Sequence, residues 1–293
     1  MQKISDSTNT ASAAGEFTEG NSAAGVGATQ IKAPWLNAIQ RELIAVIEGA
    51  GMAVNKGYDN QLLAAIKLLG VQPGVTPGRL IGVRVFSDPG TFIYIPTPET
   101  RSVVVEVQGG GGAGGSPAAT SSGQVSISSG GCSGSYAKSR MTYGFSGVSV
   151  VVGRGGTASA SSAGSIGGVG GSSSFGSAIT APGGNGGSIA GPANPPYPPC
   201  GITPGASGVG GNIYNGASSA PGVAFAVAVN SICGSVGGSS SFGGGGPVGV
   251  VGGAGGKAVG FGSGGGGSSC GPSSGSVQGG AGCSGAVIVY EYA

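Results

Sequence analysis

The sequence contains no histidine, a single tryptophan, and only 12 basic and 10 acidic side chains among 293 residues. The scarcity is uneven. From Val107 to Ala293 the only acid is Glu291, and the only bases are Lys138, Arg140, Arg154 and Lys257. A serine nucleophile needs an oriented base, usually histidine, so that chemistry is excluded. Glycoside hydrolysis by its usual route needs two carboxylates flanking the bond, and this stretch offers one. A zinc site would have to gather distant cysteines without help from histidine. The expectation is a non-catalytic chain with no cofactor and no metal.

Long hydrophobic runs are also missing. The longest candidates, such as Val223–Val229, are strand-sized, so no membrane insertion is expected. A net charge of +2 gives no electrostatic reason to expect nucleic acid. Residues 1–14 lack the basic and apolar regions of a secretory signal, so synthesis and folding in a cytoplasm is expected. Cysteine is sparse: Cys132, Cys200, Cys233, Cys270 and Cys283 are odd in number and widely spaced. They read as small buried free thiols.

What is abundant is glycine. Of 69 glycines, 57 fall between Val107 and Ala293. Such composition normally signals disorder, but the mean hydropathy of +0.25 is apolar and strand-like segments frame the region. Collagen is rejected because Gly109–Gly112, Gly243–Gly246 and Gly264–Gly267 break its three-residue register. The glycine runs lack the lysine-serine/threonine ending of a phosphate-binding loop. The remaining use of glycine is a set of polyproline II helices packed side by side, with glycine wherever backbones touch.

Along the chain, residues 1–32 are small and polar and read as an extended arm. Residues 33–72 read as a two-helix oligomerisation segment. The first helix starts at Ala33 or Pro34, carries an apolar stripe of Leu36, Ile39, Leu43, Val46 and Ile47, and ends at Gly49–Gly51. The second follows Asp59 as N-cap, presents Leu62, Leu63, Ile66 and Leu69, and stops at Gly70. Helices this short bury little alone, so their stripes are expected to close against other copies or the following domain. A turn-rich linker covers Val71–Gly78. Residues 79–293 read as a small antiparallel β framework carrying glycine-rich insertions. Its strands are expected around Ile81–Val85, Thr91–Ile95, Val103–Val107, Val148–Val152 and Val287–Tyr292.

Gly170–Gly176 recurs residue for residue as Gly237–Gly243, so Phe175 and Phe242 read as equivalent structural plugs beneath the glycine helices. Neutral, hydroxyl-rich surfaces with isolated aromatics suit sugars or protein loops. The candidate receptor-binding residues are Tyr136, Tyr143, Tyr197 and Tyr214. The prolines around Tyr197 and the asparagines around Tyr214 point to exposure, whereas Phe145 and Phe225 read as core or as packed on glycine backbone.

Several phrases resemble the short tail fibres of bacteriophages and prophages of Gram-negative hosts. They are Gly15–Asn21, Ala33–Asn37, Gln40–Leu43 and Asn60–Ile66; downstream, Val105–Gly112, the GGSSSFG motif and Ala286–Tyr292 are similar to glycine-rich fibre tips. The resemblance implies a mainly β fold with glycine-rich polyproline II helices and a short N-terminal α-helical segment, in an elongated homotrimeric fibre tip. It also implies a virion component at the distal tail, joined to other tail proteins through its N-terminus. The partner it implies is a bacterial surface receptor, whether glycan, pilus or outer-membrane protein. A structural tail cap or spacer is the alternative, and a polysaccharide depolymerase ranks last.

Overall fold

The computed structural model describes residues 2–71 and 78–293, which form two compact units, Met1–Pro77 and Gly78–Ala293. Most of the expected linker, residues 72–77, lies outside the described residues. The fold is mainly β, with several antiparallel sheets and two short α-helices. Among the described residues no helix is long and apolar enough to cross a membrane.

In the first unit, α1 spans Ala33–Gly49 with Pro34 in its first turn, and α2 spans Gln61–Val71. The second helix differs from expectation at both ends: it starts after Asn60, whose carbonyl accepts from Ala64 N at 3.0 Å, and it continues through Gly70. The two helices share a small core of Ile47, Ala50 and Ala65, flanked by Val46, Met52 and Leu69. The rest of the apolar stripes is uncovered, since Leu36, Leu43, Leu63 and Ile66 are exposed. Residues 2–32 are not simply extended. Asn21 and Val26 close a turn by mutual backbone hydrogen bonds of 2.8 and 2.9 Å, and the Phe17 ring meets Trp35 edge-on at 4.9 Å.

The second unit is built on a β-sandwich. One sheet has the order β1 (Leu80–Phe86), β15 (Ala286–Tyr292), β3 (Ser102–Gln108), β5 (Tyr136–Met141) and β11 (Tyr214–Gly216). The other runs β2 (Gly90–Ile93), β6 (Ser149–Val152), β7 (Ser173–Phe175) and β8 (Ile179–Ala181). All five sequence-expected strands are present. Period-two alternation sends Val103, Val105, Val107, Val287 and Val289 inward against Val150, Val152, Phe175 and Ile179, with Tyr94 and Phe145 closing the core.

Glu291 is the one acid of the glycine-rich half, and it is wholly buried in this sandwich. Tyr94 Oη donates to Glu291 Oε1 at 2.7 Å, Thr97 Oγ1 donates to Oε2, and Arg84 Nε lies 3.2 Å from Oε1. Room for the carboxylate comes from Gly82 on β1, where a Cβ would sit 2.6 Å from Oε2. Burial pushes the acid's pKa up, but the hydrogen bonds from Thr97 and Tyr94, with the Arg84 charge, outweigh it and hold the carboxyl below 4.5.

Beyond the sandwich run the glycine segments. From Gly110 to Gly115, successive N–H groups donate to Gly171, Cys283, Cys132, Gly168, Gly280 and Ser129, all at 2.9–3.0 Å. The partners cycle through three neighbouring segments, and the cycle repeats every third residue. Three further segments donate back, through Gly184 N to Gly110 O, Gly156 N to Gly111 O and Gly265 N to Gly112 O. The segment is thus enclosed on all sides by other segments of the same chain. Beyond the methyl of Ala113, side chains do not fit there: a Cβ on Gly111 would lie 2.0 Å from Ser263 O, and one on Gly114 2.0 Å from Gly266 O.

The two copies of GGSSSFG have different fates, which corrects the reading of Phe175 and Phe242 as equivalent plugs. Phe175 lies on β7, fully buried, its ring 5.3 Å from Tyr94. Phe242 sits half-buried in a turn closed by Ser240 and Gly243. The segment downstream of each copy makes the difference. Ile179–Ala181 returns to pair with β7, whereas Gly244–Gly246 and Pro247 offer no strand to pair.

This packing sets two expected outcomes. Gly111→Ala is expected to prevent folding of the second unit, while Gly244→Ala, with nothing within 4 Å of the added Cβ, leaves thermal unfolding within about 0.5 kcal/mol of the parent. Circular dichroism melts of both variants check this. The lowered pKa of Glu291 means its contribution is present above pH 4.5 and lost as pH falls below it. Glu291→Gln is therefore expected to flatten the stability loss below pH 4.5 seen in the parent, measured by denaturant unfolding across pH 3–7.

Candidate functional site

The chain enters and leaves the second unit at one place, because Gly78 N donates to Ala293 O at 2.9 Å and Ala293 N to Arg79 O at 2.9 Å. From the sandwich the glycine segments run out, turn and return. Their far turns lie together: Ala119 N donates to Ser162 O, Thr120 N to Ser274 O and Ser273 N to Ser121 O, at 2.8–3.1 Å. Two small sheets finish this far end. One has the order β14 (Ser269–Cys270), β4 (Val125–Ser128) and β9 (Ile189–Ala193). The other has β10 (Tyr197–Cys200), β12 (Ala224–Ala228) and β13 (Ser231–Cys233). They pack on each other through Val125, Ile127, Cys200, Ala224, Ala226 and Ile232.

Within β12 the inward positions are alanines and the outward ones are large. Ala224 and Ala226 fit the thin layer beneath them, whereas Val223, Phe225, Val227 and Val229 face out, Phe225 exposed to 45 %. This corrects the reading of Phe225 as core. No Asp, Glu, Lys or Arg occurs between Arg154 and Lys257, so the surface around β12 carries no formal charge.

Tyr197 is also corrected. The expected exposure falls to its prolines, Pro198 and Pro199, while the Tyr197 ring turns in against the β4–β12 core. Its hydroxyl donates to Val125 O at 3.1 Å, and burial pushes the phenol up to about 12.

A second surface lies on the flank, where β11 pairs with β5. Tyr136 and Tyr214 come together there, their rings 6.0 Å apart at 45°. Phe242 lies 6.0 Å from Tyr136 at 58°, and Phe261 6.4 Å from Phe242. Tyr136 and Tyr214 line a cleft of about 170 Å³ together with Ser133, Ser219, Ser239, Ser240 and Ser241, and Phe242 backs Tyr136 from outside the lining. The nearest charges compensate each other, with Lys138 Nζ 2.8 Å from Glu106 Oε1. Burial, reinforced by Glu106, pushes the Tyr136 phenol up, so it stays a neutral donor through the physiological range. The role of Phe242 here was not legible in the repeat, because the repeat's first copy is a core strand.

Tyr143 stands apart, 85 % exposed beyond the last residue of β5. It borders a hollow of about 390 Å³ with Arg140, Met141 and Asn212. Asn212 and the Arg140 backbone exchange two hydrogen bonds of 2.8 Å there. The structure therefore unites Tyr136 with Tyr214, and leaves Tyr143 and Tyr197 separate from them. The five cysteines are free thiols. Among the described residues no group of three or more His, Cys, Asp or Glu side chains could hold a metal ion.

Comparison with known proteins gives one family: the model described as a glycine-rich domain matches residues 87–292. A search of curated proteins finds no match.

The exposures set an order of chemical reactivity. Tetranitromethane is expected to nitrate Tyr143, Tyr58 and Tyr214 first, at 85 %, 69 % and 57 % exposure, and to spare the fully buried Tyr94 until the protein unfolds. Peptide mass spectrometry along a time course reads that order.

Proposed function

We propose, for a chain that belongs to the family of glycine-rich domains, that the second unit is the host-recognition tip of a bacteriophage tail fibre and acts by binding, without catalysis. The observation that carries the reading is the polarity of this unit. Its attachment is confined to one end, where Gly78 and Ala293 meet, and the uncharged turns and the exposed β12 face gather at the other. A domain held by one end and open at the other is suited to display.

The three-residue cycle of hydrogen bonds supports reading the glycine segments as polyproline II helices, which have three residues per turn. At a rise of roughly 3.1 Å per residue, an eight-residue segment would hold the far turns about 25 Å from the sandwich. The uncovered stripes on α1 and α2 support a homotrimer closed through residues 33–72, with residues 1–32 joining other tail proteins. On this reading the protein sits at the distal tail of the virion, made in the host cytoplasm, and its partner is a bacterial surface receptor.

The test is adsorption of the labelled full chain to a panel of Gram-negative cells. Binding to host cells and competition with the phage are expected. The double variant Phe225→Ser with Val227→Ser should lose at least tenfold in binding while keeping its melting temperature, since both side chains face out. A folded protein that binds no cell and fails to compete with the phage would leave only a structural cap or spacer.

A further inference from the structure

We infer that the flank cleft between β5, β11 and the Ser239–Phe242 turn is a subsite for a single neutral sugar ring. It is distinct from the far-end surface and deepens the recognition reading, on which it rests for its biological setting. The argument begins with shape. A pyranose has one face of C–H groups and a rim of hydroxyls, and it needs a flat aromatic surface bordered by small polar groups. The cleft supplies both. Tyr214 offers an exposed ring, held in place by contact with Tyr136, which is itself backed by Phe242 at 6.0 Å. Because this ring stack is already assembled, little side-chain entropy remains to be lost on binding.

The rim is hydroxylic. Ser239 and Ser241 are exposed at its edge. Ser239 Oγ accepts from Gly245 N at 3.3 Å, which leaves its proton free to donate. Ser133 belongs to the buried wall and its hydroxyl is engaged, accepting from Ser219 N at 2.8 Å and donating to Gly134 O at 3.1 Å, so the free rim hydroxyls are those of Ser239 and Ser241. Such hydroxyls both donate and accept, which matches a sugar's own hydroxyls and no fixed charge.

Size and charge narrow the class. About 170 Å³ admits one ring and is smaller than the roughly 300–1,000 Å³ pockets of drug-sized ligands. An acidic sugar would require an unpaired cation, and Lys138, the base nearest in register to Tyr214, is already engaged by Glu106 at 2.8 Å. The ligand is therefore a neutral hexose or deoxyhexose, or one such residue of a longer glycan.

The experiment is saturation-transfer NMR of the full chain with the methyl glycosides of glucose, galactose, mannose, rhamnose, N-acetylglucosamine and glucuronic acid, run beside cell adsorption. Transfer to at least one neutral glycoside is expected, with none to the glucuronide. The signal should fall at least fivefold in Tyr214→Ala and in Phe242→Ala, and persist in Tyr143→Ala, all with the parent's circular dichroism. No transfer to any neutral glycoside, or equal transfer in Tyr214→Ala, overturns the subsite. Adsorption without transfer would sink the subsite alone. Transfer without adsorption would sink the recognition reading and leave the sugar site standing.

Discussion

Everything in the second unit depends on backbones approaching within hydrogen-bonding distance across more than one face at once. A β-strand pairs its backbone in one plane and leaves its side chains above and below. The Gly110–Gly115 segment instead turns its N–H groups to three neighbours in rotation, and it meets them at 2.9–3.0 Å. At Gly110, Gly111, Gly112, Gly114 and Gly115 that geometry leaves no room for a Cβ, and only Ala113 carries one. Glycine is therefore required by space, even though each one loses more chain entropy on ordering than alanine by about 0.5–1 kcal/mol. The compensation is that every backbone N–H from Gly110 to Gly115 finds an acceptor.

This constraint separates the molecule into regions of different chemistry. Where the buried glycines of these segments meet neighbouring backbone, no side chain is admitted, whereas an open position such as Gly244 has room for one. Large or charged side chains are admitted at the sandwich, where sheets stand far enough apart to hold Phe175 and the Glu291 network, at the turns, where segments part, and at outward positions of the peripheral segments such as Arg154 and Val169. Recognition chemistry is thereby pushed to the far end and to the flank, the two places where the packing opens. The flank cleft arises because the second GGSSSFG copy has no strand to pair with and folds as a turn beside Tyr136.

Much of this was legible in the sequence. Alternating valines located the framework strands, and broken glycine register excluded collagen. Proline and glycine marked the limits of α1. The failures at Tyr197 and Phe225 share one cause: the direction of a side chain is not set by its neighbours along the chain. Tyr197 lies among prolines, yet its direction is fixed by pairing with Ala226 on β12, which turns the ring inward. Phe225 sits in an apolar run that reads as core, but the small layer beneath accepts only alanine. The meeting of Tyr136, Tyr214 and Phe242 depends on strand pairing between residues far apart, and no local spacing announces it.

The position of β15 has a consequence for how the chain reaches its structure. This strand lies between β1 and β3 and aligns Val287 with Val107 and with Phe86. Until residues 286–292 have been made, the two earlier strands have no common neighbour, and their valine faces and edges stay open. The sandwich therefore closes late, after the intervening glycine segments have been synthesised, and pairings of such long range fold slowly. During that interval the nascent chain holds strand edges of the kind that join other chains. Synthesis of many copies at once thus places the greatest demand on this protein before its last strand arrives.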